Sequence, residues 1–158
     1  QTALELIAAM QADDIPRDTI TYNTAISACE KSKQWTLALG LLAQMPEDRV
    51  TRDTISYNAA ISACEKGGRW RVALELLTAM ADSAIEPDSI TFGAAISACA
   101  QGGEWLAALE LMTSMGDLEV APDAITYNAA ISSCEKGGAW EMALSLIETM
   151  VEDDVDMT

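Results

Sequence analysis

Apolar residues recur along this chain with the period of an α-helix. In the stretch 55–89, Tyr57, Ile61 and Cys64 stand at i, i+4 and i+7 and share one helical face, while Asn58, Ser62, Glu65 and Lys66 fall on another. After Gly67-Gly68 a second run begins. Trp70, Ala73, Leu74, Leu77 and Met80 follow i, i+3, i+4, i+7 and i+10, and Arg71, Glu75 and Thr78 are left for water. The pattern predicts two amphipathic helices. Asp53 or Thr54 can cap the first, because a short side-chain oxygen satisfies a free backbone N–H. The glycine pair closes it in the left-handed conformation. Pro87 blocks continuation of the second, and the small Ala73 lets the pair pack closely.

The same pattern returns every 35 residues. Trp35, Trp70, Trp105 and Trp140 keep that spacing, as do Cys29, Cys64, Cys99 and Cys134, and Met10, Met45, Met80, Met115 and Met150. A fixed period of this size means a stacked repeat architecture, because one short helix pair cannot bury its apolar faces alone. The expected division is a leading second helix over 1–18, whose partner helix is missing, then repeats over 19–53, 54–88, 89–123 and 124–158. A start partway into a helix reads as a fragment of a longer protein. The acidic end, Glu152–Asp156, reads as a polar cap or another junction. In the first full repeat Ser32-Lys33 replaces Gly-Gly, and Pro46 is expected to stop the second helix early. The third repeat departs most, with Phe92 for Tyr, Gly93 for Asn and Ala100-Gln101 for Glu-Lys. The Met and Trp columns read as core.

These residues carry a family resemblance. The run I-[ST]-Y-N-A-A-I-S-A-C-E-K-G-G, the A-L-E-L-L-x-x-M of the second helix and the junctions Pro87-Asp88 and Pro122-Asp123 resemble the pentatricopeptide repeat (PPR) family in its plain 35-residue form. The tetratricopeptide pattern has a period of ~34 residues and a different signature. The resemblance covers the whole chain. It implies an all-α solenoid of stacked antiparallel helix pairs forming a right-handed superhelix. It also implies single-stranded RNA as a ligand, about one base per repeat, and an organelle, chloroplast or mitochondrion, as location. The family's base-reading positions fall on Asn23 with Asp53, Asn58 with Asp88, Gly93 with Asp123, and Asn128 with Thr158. The first two pairs are of the type the family associates with uracil. Ile20, Ile55, Ile90 and Ile125 take the positions that wedge a base. Gly93 has no side chain to meet a base edge, and Thr158 is off pattern. The same residues also have a plain structural reading, since Asp before a helix is an ordinary N-cap and Asn early in a helix can bond locally to backbone.

Composition shifts the weight between partners. The chain of 158 residues carries nine Lys and Arg against 25 Asp and Glu, a net charge of −16. RNA binding rests largely on phosphate neutralisation, and Lys31, Lys33, Lys66, Arg69 and Lys136 are the candidate phosphate contacts. The first-helix segments 19–34, 54–69, 89–104 and 124–139 together carry +1, which leaves −17 for the rest. In this family the first helices line the concave side, so that side is expected to be nearly neutral and the outside acidic.

The chain has no histidine, which removes the commonest general acid/base and metal ligand. No phosphate-binding loop or calcium loop is present, so neither enzyme chemistry nor a cofactor is expected. Cysteines 35 residues apart are too far apart in a stack for disulfides or a zinc site. They read as small buried hydrophobes in a reducing compartment. No apolar run approaches a membrane span, so a soluble protein is expected, and no DNA partner is expected. On sequence alone, a non-catalytic scaffold ranks first, holding a protein partner by a basic patch on that partner. Selective binding of single-stranded RNA is the alternative.

Overall fold

The computed structural model describes residues 18–153 and, ahead of them, Glu5, Ala8, Ala9 and Ala12, which are helical. The rest of the expected leading helix lies outside the described residues, as do the end of the acidic tail and Thr158. Among the described residues there are eight further helices and no strand. They are α1 Thr19–Lys31, α2 Trp35–Glu47, α3 Thr54–Lys66, α4 Trp70–Asp82, α5 Ser89–Gln101, α6 Trp105–Asp117, α7 Ala124–Lys136 and α8 Trp140–Glu152. Each has 13 residues, a length of about 20 Å.

The chain divides into two compact units, residues 1–86 and 87–158. In the first, α1 packs on α2 and α3, and α3 also packs on α2 and α4. In the second, α5 packs on α6 and α7, and α7 also packs on α6 and α8. In each unit the two first helices lie side by side, and the second helix of the leading pair leans on its own partner and on the first helix of the other pair. Tyr22, Ile26 and Cys29, Tyr57, Ile61 and Cys64, and Phe92, Ile96 and Cys99 are buried, as are Met45, Met80, Met115 and Met150. The four cysteines are free, and burial pushes the Cys64 thiol up to about 11.

Local chemistry sets the helix ends. Asp18, Asp53, Asp88 and Asp123 cap α1, α3, α5 and α7, each accepting from the backbone N–H three residues on. The second helices close on left-handed residues, Arg49, Ala84 and Glu119. Val50, Ile85 and Val120 then donate back to the carbonyls of Met45, Met80 and Met115, the hydrogen bond of a Schellman ending.

Three expectations are corrected. Pro46 does not stop its helix early: α2 runs to Glu47. Proline has no N–H for the Leu42 carbonyl, and Arg52 Nε donates to that carbonyl instead, at 2.9 Å. The two glycines of each turn have different tasks. Gly68, Gly103 and Gly138 hold positive φ, and Lys33 takes the same conformation in the first pair. Gly67 is right-handed, φ −85°, and is needed for space, because a Cβ there would lie 2.5 Å from Trp35 Cδ1. Gly137 stands in the same relation to Trp105, at 2.2 Å. The Trp column is therefore not core. Trp35, Trp70 and Trp105 are partly exposed and Trp140 is 65% exposed. The indoles of Trp35 and Trp105 lie close against the first glycine of the turn one repeat on.

The departures of the third repeat also have a physical pattern. Tyr22 and Tyr127 donate their hydroxyls to Asp48 and Asp153, 26 residues on. Burial first, and then the Asp153 carboxylate, push the Tyr127 phenol up to about 12. Phe92 has no hydroxyl to donate, and 26 residues on from it stands Leu118, which has no acceptor. Tyr57 has Ser83 at that distance, and its hydroxyl accepts from Arg52 Nη1 at 3.3 Å instead.

Candidate nucleic-acid interface

On α1, Ile20, Asn23, Thr24 and Ser27 stand at i, i+3, i+4 and i+7, so one face presents all four. Together with Ile55 of α3 they line a cleft of about 340 Å³. Its walls are unusual for a water-soluble surface. Ile20 is 76% exposed and Ile55 61%. Ile90 and Ile125 are equally open at the matching place on α5 and α7. An isoleucine at the second position of every first helix, always out in water, contributes nothing to the core, although burying its side chain is worth about 2 kcal/mol.

Between the two isoleucines sits an amide held from behind. Asn23 is 8% exposed. Its Nδ2 donates to Asp53 Oδ1 at 3.0 Å, and its Oδ1 accepts from Ser56 Oγ at 2.6 Å. The Asp53 carboxylate also takes the Ser56 N–H at 2.9 Å, and Ser56 Oγ receives the Asp53 N–H at 3.1 Å. Burial pushes the Asp53 carboxyl up, but hydrogen bonds from Ser56 and Asn23 outweigh it and hold the group below its ordinary value. The network orients the amide. It leaves one Nδ2 proton and one Oδ1 lone pair for whatever enters the cleft.

The structure thus brings together Ile20, Asn23, Asp53 and Ile55. Thr24 and Ser27 were missed by the sequence reading, although their i+4 and i+7 spacing from Ile20 was there to be read. Asn58 is buried and Asn128 exposed. Gly93 leaves a gap, since a Cβ built on it would meet Thr126 Oγ1 at 3.9 Å, ordinary contact distance. Thr126 Oγ1 turns to Asp123 instead, at 2.8 Å. Asp88 and Asp123 stand at the caps of α5 and α7.

The candidate phosphate contacts are placed elsewhere. Lys31, Lys66 and Lys136 end α1, α3 and α7, about 16 Å along the helix from the isoleucine of the same helix. Lys66 is paired with Glu30 at 2.9 Å. Lys33 and Arg69 lie in the turns that follow α1 and α3. Among the described residues no cation lines the Ile20–Ile55 cleft.

Fold and cleft define a helical-repeat module with an exposed isoleucine on each first helix. Family models agree. The PPR repeat family model matches residues 17–64 and 52–101, and the PPR repeat model matches 90–120 and 125–155. The chain belongs to the pentatricopeptide repeat family. A search of curated proteins gives no significant match.

Solved structures share the fold. The pentatricopeptide repeat protein PPR10 in complex with an 18-nt psaJ RNA element superposes with a TM-score of 0.81 at 19% identity, over 96% of this chain and 22% of that one. The PPR domain of Arabidopsis thaliana protein-only RNase P 1 in complex with tRNA gives 0.82 at 15% identity, over 99% of this chain and 82% of that one. Nuclear proteinaceous RNase P 2 from A. thaliana gives 0.74 at 19% identity, over 89% and 32%. The chain spans about a fifth of the length of PPR10.

Proposed function

We propose that this module binds single-stranded RNA and takes one base into the cleft between Ile20 and Ile55, over the Asn23 amide. The repeats are read as 19–53, 54–88, 89–123 and 124–158. The observation that carries the reading is the pair of exposed isoleucines around a buried, pre-oriented amide. A flat base fits between two branched apolar side chains and excludes water from both. The free N–H and lone pair of Asn23 match the adjacent acceptor and donor on the edge of uracil, the base expected for this residue pair. Two of the structural neighbours are PPR proteins in complexes with RNA, which supports RNA over the protein scaffold that sequence alone ranks first. We read the module itself as a binding element and not an enzyme. An organellar location rests on the family; one neighbour is named as nuclear, so the fold is shared across compartments.

The test is fluorescence anisotropy with labelled oligo-U and oligo-A. Oligo-U is expected to bind more tightly, and Asn23→Ala to remove the preference in a protein that still melts cooperatively. Equal affinity for both oligonucleotides, or no oligo-U binding at low salt, would refute the reading.

A further inference from the structure

A second cleft lies at the other end of the same helix pairs. It has a volume of about 390 Å³ and is lined by Trp35, Gly68, Arg69, Trp70, Arg71 and Val72. The Ile20–Ile55 cleft opens at the start of α1 and α3, and this one at the turn after α3, one helix length of about 20 Å away.

Its lining is chemically specific. The Arg69 guanidinium stacks over the Trp35 ring at 5.0 Å, and the Arg71 guanidinium over Trp70 at 5.1 Å. Stacking uses the face of a guanidinium and leaves its N–H edge free for an anion. Among the described residues neither arginine has a carboxylate within ion-pair distance, whereas Lys66 does. In a chain of net charge −16 with nine basic residues, two unpaired arginines flanking two indoles stand out. The feature is also confined to this turn. The Arg-Trp-Arg of 69–71 is Gln-Trp-Thr at 34–36, Glu-Trp-Leu at 104–106 and Ala-Trp-Glu at 139–141. Space is available because Gly68 carries no side chain and a Cβ there would meet nothing within 4 Å.

From this we infer a second ligand site. The Trp35–Trp70 cleft binds a nucleotide through its terminal phosphate, with the phosphate on Arg69 and Arg71 and the base against indole. Phosphate favours the guanidinium fork, and base–indole stacking is the apolar half of the recognition. The ligand is either a free nucleotide or the phosphorylated end of a strand. The site is separate from the Ile20–Ile55 cleft, so each stands or falls by itself.

The experiment follows tryptophan fluorescence of the whole chain during titration with uridine 5′-monophosphate, uridine, inorganic phosphate, and oligo-U with a 5′-phosphate or a 5′-hydroxyl. Uridine 5′-monophosphate is expected to give a saturable change, with uridine and phosphate each at least ~10-fold weaker. Arg69→Gln with Arg71→Gln should weaken nucleotide binding by ~10-fold or more, since each lost charged hydrogen bond is worth about a factor of ten. Both side chains are exposed, so the variant loses only two surface ring contacts and should still melt cooperatively. Tighter binding of the 5′-phosphorylated oligonucleotide than of its 5′-hydroxyl form, abolished in the variant, assigns the site to strand ends. Nucleotide binding without that gain assigns it to free nucleotide. The proposal is overturned by uridine or phosphate binding as tightly as the nucleotide, by no saturable change, or by an unaltered affinity in the arginine variant. Binding of the 5′-hydroxyl strand reports on the Ile20–Ile55 cleft alone.

Discussion

The contact between Arg52 and the Leu42 carbonyl should show itself as a coupling with Pro46. Proline leaves that carbonyl without its helical donor, and Arg52 Nε supplies one at 2.9 Å. Arg52→Met keeps most of the stem and removes the donor. A hydrogen bond from a charged donor contributes about 1.5–3 kcal/mol net. Arg52 is only partly buried, so the lower end applies. Its guanidinium also lies 5.8 Å from the Tyr57 ring centroid, which adds roughly 0.5 kcal/mol. The expected cost is thus about 2 kcal/mol. With Pro46→Ala already in place, the backbone N–H restored by alanine can serve Leu42, and the same Arg52→Met should cost only about 0.5–1 kcal/mol. The assay is urea unfolding by circular dichroism of the four proteins of the cycle, compared at unchanged m-value. An equal cost of Arg52→Met in both backgrounds would refute the replacement-donor explanation.

Three further outcomes follow from the same geometry. Gly67→Ala should destabilise by about 1–2 kcal/mol and shift the tryptophan emission, because the new Cβ overlaps the Trp35 ring; an unchanged melt and spectrum would count against a steric role for this glycine. Gly93→Asn should stabilise by about 1 kcal/mol in thermal unfolding, by replacing a mid-helix glycine and giving Thr126 the partner that Ser56 has in Asn23; a loss of stability would show that the gap is not equivalent. Asp53 has a carboxyl held below the usual aspartate value of 3.8, so its stabilising effect is in place above that value and disappears as pH falls through the lower folded value. Asp53→Asn should therefore cost no more than about 1 kcal/mol at neutral pH, after allowance for solvent screening, and the gap to the parent should close on acidification below about pH 4; a gap that persists there would contradict the assignment.

The period and the helices were legible because spacing alone specifies them. A Trp, a Cys and a Met that each recur every 35 residues leave little choice of architecture. The Asp caps were legible for the same reason, as an acceptor directly before an apolar run. What escaped was whatever depends on a partner distant in sequence. Pro46 looks like a stop until Arg52, six residues on, is seen to reach back. Gly67 and Gly68 look alike in sequence, yet Gly68 is needed for backbone conformation and Gly67 for the Trp35 ring, 32 residues earlier. The Trp column has the spacing of a core stripe but lies at the helix start, where the glycine turn leaves it half in water. At the cleft, Ile20, Asn23, Asp53 and Ile55 were named from the sequence. Which other side chains line it, and that the basic residues stand at the far helix ends, required coordinates.

The most direct measurement is the affinity of the Ile20→Ser, Ile55→Ser double variant for oligo-U. Both side chains are largely exposed and neither belongs to the core, so the melt should stay within about 0.5 kcal/mol of the parent. If a base is held between them, each lost apolar contact removes about 1 kcal/mol, and affinity should fall by ~10-fold or more. Unchanged oligo-U affinity in a normally folded double variant would contradict the account.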